Sequence, residues 1–248
     1  MPQINKPKKI MKKIYLLLCL ISFTMQAKYY EAVLTFENGT VKKGFAELVE
    51  INSSKVKFRL TEKGDTEKIL SEELKKVEYV DKDGNKYQAE RLFVLQDKGE
   101  KGVKKSSDKS WLYVIYANGI KLTVDALQST FRYNAVNGTS TGSGGGTMLY
   151  MGKEKEDGVY FVYMLSAMMS VNVGMDKAVR NISSLQFKDC PAFLEAVNAE
   201  NFKKNTLANR IIELYEKSNC NKKEVVKAKP QETKVKAKTK AKTKAKKK

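Results

Sequence analysis

Among the residues that could do chemistry, the absences narrow the function most. Histidine does not occur in the 248 residues, which excludes His-dependent triads, His-ligated zinc or iron and the usual general base near neutral pH. Carboxylate chemistry of the glycosidase kind stays open, because paired Asp and Glu can serve as acid and base. The acids fall mostly in lysine-rich turns such as Asp81-Lys82-Asp83 and Glu154-Lys155-Glu156-Asp157, and there they read as solvated charge. The glycine-rich run at 138–147 has no lysine and leads into a strand. A phosphate-cradling loop needs a lysine and a following helix, so the run reads as a hairpin loop. No catalytic residue, metal ligand or cofactor site is assigned, and the chain reads as a non-enzyme.

Two other sets of residues carry chemistry. Cys190 and Cys220 form an even pair thirty residues apart once Cys19 is set aside with a leader. In an oxidising compartment such a pair is expected to bond, and closing that loop contributes roughly 3–4 kcal/mol in the chain-entropy model. Two free thiols or a metal pair are the alternatives, although two cysteines without histidine are too few for a structural zinc site. The second set is Lys234, Lys236, Lys238, Lys240, Lys242, Lys244, Lys246, Lys247 and Lys248, with lysine at almost every second position. This stretch cannot build a core and reads as a disordered, polyanion-binding tail. Lysine favours diffuse attraction over the bidentate recognition that arginine provides. Each lysine beside an anionic membrane contributes about 1 kcal/mol. The expected partner is an anionic envelope surface, lipopolysaccharide or anionic lipid, with nucleic acid as the competing polyanion. A merely solubilising tail is the bland alternative.

The address follows from the other terminus. Lys12 and Lys13 precede the apolar run Ile14-Tyr15-Leu16-Leu17-Leu18-Cys19-Leu20-Ile21, which continues through Phe23 to Ala27. That is the layout of a cleavable secretory signal at 1–27, and it is too short to span a bilayer. Met25 is larger than the residue usually found three before the cut. Leu18 stands where a lipoprotein signal wants a small residue, so Cys19 does not read as a lipidation site. Export to the periplasm or the exterior is the expectation, with peripheral attachment to the outer membrane and no transmembrane span in the mature chain.

Charge splits along the same boundaries. Residues 1–27 hold five Lys and no acid, and residues 221–248 hold thirteen Lys against Glu224 and Glu232. Removing both from the chain's +19 leaves about +3 on residues 28–220. The body is therefore close to neutral, and a nucleic-acid reading must rest on the tail.

The body must position whatever remains. From 28 to 95 apolar and polar residues alternate, as in Val56, Phe58 and Leu60 against Lys55, Lys57 and Arg59, and Asn38-Gly39 marks a hairpin. Ser71 is a candidate cap for one helical turn. The pattern predicts a small antiparallel barrel or a strongly twisted sheet. A polar stretch at 96–109 reads as a linker. A second hairpin is expected around Asn118-Gly119, with further strands at 131–133, 148–151 and 159–165. Helices follow: Met175, Ala178, Ile182 and Leu185 recur at helical spacing, Asp189 is a candidate N-cap before Pro191, and Asn205 could cap a last helix. These readings predict an α+β body whose second unit spans 110–220.

Gly44 in a strand, the turn at 71–74 leading into Val77-Glu78-Tyr79-Val80, and Gly84 followed by Tyr87 resemble the small SH3-like or Sm-like β units of uncharacterised exported proteins from Bacteroidota-type bacteria. Asp189-Cys190-Pro191, Phe202, Ile211-Ile212, Tyr215 and Cys220 resemble the C-terminal helical pair of the same family. That resemblance implies a Cys190–Cys220 pairing and is silent on activity. The leading functional expectation is an exported protein that binds or scaffolds, tethered by its tail. A nucleic-acid-binding protein and a carboxylate-based glycan hydrolase are the competitors.

Overall fold

The computed structural model describes residues 28–125, 132–134, 139–141, 147–165 and 174–220. The expected leader at 1–27 and the lysine-rich stretch at 221–248 lie outside the described residues. Alternation in the first third produces β1 (Tyr29–Phe36), β2 (Val41–Glu47), β3 (Lys55–Arg59), β4 (Glu67–Leu70) and β5 (Leu74–Val80). One face of each is buried, with Leu34, Ala46, Phe58, Ile69 and Val77 all at most 5% exposed. The β1–β2 turn uses Gly39 at φ +85°, where a side chain would be strained, and the Asn38 Oδ1 accepts from both the Thr40 N–H and its hydroxyl. β5 returns to pair with β1, giving the order β5-β1-β2-β3-β4.

The same sheet continues into a closed ring. β6 (Lys86–Asp97) pairs with β5 through its first half and with β7 (Val103–Asn118) along its length. β8 (Ile120–Val124) follows β7 across the single residue Gly119. A separate two-stranded sheet pairs β9 (Arg132–Asn134) with β10 (Thr139–Thr141). β11 (Thr147–Lys153) then joins β8, and β12 (Gly158–Leu165) joins β11. Finally β12 pairs in parallel with the second half of β6, at Gly158↔Phe93 and Tyr160↔Leu95. Five strands thus form a barrel without a free edge, β6-β7-β8-β11-β12. Leu92, Leu112, Tyr150 and Val159 form a cluster of their own, apart from the main core.

Helices cover part of the ring's outer face. α1 (Met175–Gln186) packs on β12 and β11, α2 (Pro191–Ala199) on α1, and α3 (Leu207–Lys217) on α2 and β8. Phe187, Phe193 and Tyr215 meet edge-to-face, with ring centroids 5.1–5.4 Å apart. Such pairs add about 0.5–1.5 kcal/mol each beyond area burial.

One indole locks the meander onto the ring. Trp111 of β7 is 1% exposed; its Nε1 donates to the Ser71 Oγ at 2.9 Å, and that hydroxyl donates to the Ser53 carbonyl at 2.6 Å. The Tyr113 and Tyr79 hydroxyls donate to the carbonyls of Val49 and Glu47. Three side-chain hydroxyls, of Ser71, Tyr113 and Tyr79, therefore satisfy carbonyls of the 47–53 segment, and the Trp111 backbone N–H donates to a fourth, that of Ile51. Gly44 is required for a different reason. A Cβ there would stand 2.2 Å from the Arg59 carbonyl and 2.5 Å from the Phe58 ring.

Four expectations are corrected. The stretch at 96–109 is no linker: it is the far end of the β6–β7 hairpin, with Leu95↔Lys105 and Asp97↔Val103 in register around a 3-10 turn at Gly99–Lys101. Its polar sequence reflects a hairpin end wetted on both faces. Ser71 caps nothing, because its hydroxyl spans to Ser53 as above. Asp189 is not the cap of α2; Cys190 holds that position, and Asp189 instead faces the Lys153 Nζ at 3.3 Å. Asn205 lies inside a 3-10 turn, and Thr206 stands at the start of α3.

Candidate functional site

Three places gather functional groups. The first is inside the ring. β8 is buried on both faces, so Lys121 and Thr123 occupy the side opposite Ile120, Leu122 and Val124. The Lys121 ammonium donates to the Glu90 Oε2 at 2.6 Å, across β7, and to the Glu156 carbonyl at 3.3 Å. The Gln88 amide donates to the other Glu90 oxygen. One charge pair therefore joins β6, β8 and the β11–β12 turn. With both charges matched and the lysine 4% exposed, the cluster organises the ring and offers no free base or nucleophile. Sequence reasoning missed it, because a lysine inside an apolar five-residue strand looks like an ordinary outward-facing position.

The second place is a groove of about 490 Å³ between β1, β5, β6 and the end of β7, lined by Val33, Tyr79, Tyr87, Ile115 and Tyr116 with Glu78 and Lys86 at its polar side. Its phenols are already engaged. The Tyr87 hydroxyl donates to Asp81 at 2.9 Å and the Tyr116 hydroxyl to Glu216 at 2.9 Å. Burial, reinforced by those carboxylates, pushes both phenols above their ordinary value. The Asp81 carboxyl is held down to about 2, first by the Asn85 side chain and then by backbone N–H groups and Tyr87. Glu78 is the one acid lining the groove among the described residues, and it pairs with Lys76 at 3.2 Å. An acid-base mechanism needs two carboxylates facing one bond, so the groove does not favour the hydrolase expectation.

The third place is the root of the lysine-rich stretch. Cys190 and Cys220 are bonded, with Cα atoms 5.7 Å apart, which ties the start of α2 to the residue after α3. Ser218 returns its hydroxyl to the Leu214 carbonyl, and Asn219 takes the left-handed conformation that ends helices. Arg210 bridges Glu200 and Glu213 at 2.6 and 2.7 Å, and Lys217 pairs with Glu213. The chain thus leaves the body at a covalently fixed point. The lysines from Lys234 to Lys248 lie outside the described residues.

Among the described residues no group of three or more His, Cys, Asp or Glu side chains is placed to hold a metal, and no helix is long and apolar enough to cross a membrane. Comparison of the chain with protein-family models, with curated proteins and with solved structures gives no match.

Proposed function

We propose that the protein is an exported, non-enzymatic envelope protein that binds or scaffolds at an anionic surface, with the lysine-rich stretch at 221–248 as its electrostatic tether. The observation that carries this reading is the Cys190–Cys220 bond at the root of that stretch. Disulfides persist in exported proteins, and this one fixes a segment of net +11 to a body of about +3. Lipopolysaccharide phosphates and anionic lipids supply the complementary charge in an envelope. A cleaved leader at 1–27 accords with the same compartment.

The test compares the chain from Lys28 to Lys248 with one ending at Cys220 on vesicles containing anionic phospholipid. Attachment of the longer chain should fall steeply as salt rises and should drop by at least tenfold on truncation. Equal attachment of both chains, or attachment indifferent to salt, would reject the tether.

A further inference from the structure

The body's small positive excess is not spread evenly. Ala46 of β2 opposes Phe58 of β3, and Val56 opposes Ile69 of β4; all four are buried. The alternate residues therefore share the opposite, outward face. On that face stand Lys43 and Phe45 of β2, Lys55, Lys57 and Arg59 of β3, and Lys68 and Leu70 of β4. Five cations meet one acid of these strands, Glu47, which pairs with Lys57 at 3.0 Å. The local net of +4 exceeds the whole body's +3, so the rest of the body is slightly acidic.

Two details set this face apart from a solvated lysine stripe. Lys57 lies directly opposite Lys68, a like-charge pair in which Glu47 answers Lys57 alone, leaving Lys68 with no ion pair among the described residues. Large apolar side chains also accompany the cations on this face: Leu70 is 37% exposed and Phe45 is half-buried. Cations beside an exposed leucine match a bilayer surface, where headgroup phosphates meet the lysines and the aliphatic group reaches the acyl boundary. Single-stranded nucleic acid would need free aromatic faces to stack on, and a duplex, held by phosphate contacts alone, would make no use of the exposed leucine. Here Tyr29 is covered by the Arg59 guanidinium, 3.8 Å from its centroid.

We infer that the outward face of β2, β3 and β4 is a second membrane contact, which docks on the phosphate headgroups of anionic lipid. This goes beyond the tether and does not depend on it. Two linked contacts raise each other's effective concentration, so the face and the lysine-rich stretch together would hold the protein flat on the surface.

The full mature chain is measured on vesicles of three parts phosphatidylcholine to about one part phosphatidylglycerol, a composition chosen so that each lysine contributes on the order of 1 kcal/mol. Lys43→Glu, Lys55→Glu and Lys68→Glu together should weaken partitioning by at least tenfold. The control Lys177→Glu, Lys188→Glu and Lys203→Glu makes the same change in net charge at exposed positions on and between the helices, and should weaken it by threefold or less. Leu70→Ser, at unchanged charge, should weaken it about twofold. Equal losses from the two triple variants would show that only net charge counts, and would overturn the assignment. So would loss of binding to a DNA duplex with vesicle binding intact. Melting curves confirm that each variant is folded. A tether failure appears only on truncation at Cys220, and a failure of this face only in the first triple variant.

Discussion

The β1–β5 meander and the β6–β12 ring are built from the same alternating material but solve different problems. The meander has one buried face and one wet face, so its sequence shows both, and its outward face is free to collect charge. The ring closes on itself, so strand β8 is buried on both sides; the Lys121 ammonium finds its partner inside, and the Thr123 hydroxyl has none among the described residues. Charge on the meander is therefore a surface property that substitutions can tune, whereas charge in the ring is structural.

That contrast is tested most strongly at the junction. Trp111→Ala empties the site that joins the two halves and removes the indole donor to the Ser71 hydroxyl; it should cost about 4 kcal/mol, measured by denaturant unfolding. Within the ring, Lys121→Met leaves Glu90 unpaired and should cost about 3 kcal/mol, whereas Lys121→Met with Glu90→Leu should recover most of that loss. In the meander, charge reversals at Lys55 or Lys68 should change stability by less than about 0.5 kcal/mol. Gly44→Ala is the exception there, expected to cost about 2 kcal/mol because the Phe58 ring and the Arg59 backbone must give way.

A further effect is expected at alkaline pH. Burial, with a lesser contribution from Asp125, pushes the Tyr150 phenol up to about 12, and burial raises Tyr79 and Tyr113 as well. A raised folded-state value means these phenols contribute stability that is complete below the ordinary value near 10. For Tyr150 that contribution fades as pH climbs from about 10 toward 12. Tyrosinate absorbance should therefore lag behind that of the unfolded chain and rise together with the loss of near-ultraviolet circular dichroism. A buried class that titrates freely at its ordinary value would contradict the packing.

What was readable from the residues follows the same division. Alternation and the Asn38-Gly39 and Asn118-Gly119 turns revealed the hairpins, because both signals are local. The cysteine pair was legible because so few pairings exist. The parallel closure of β12 on β6 was not, since it joins Gly158 to Phe93 across 65 residues and leaves no short-range pattern. The hairpin end at 96–109 was misread for the opposite reason, as polar residues on both faces of a protruding hairpin carry no period. Lys121 hid in plain sight, because alternation tells which residues share a side but not whether that side meets water. The helix caps at Asp189 and Asn205 missed by one position each, where side-chain propensity lost to Pro191 and to a 3-10 turn.

The account turns on where the molecule matures, and one experiment reads this directly: cell fractionation followed by intact-mass and thiol analysis of the recovered chain. It predicts a polypeptide shortened to begin near Lys28, found with the envelope, in which Cys190 and Cys220 resist alkylation until reductant is added. A full-length polypeptide in the cytosol with both thiols reactive would contradict it.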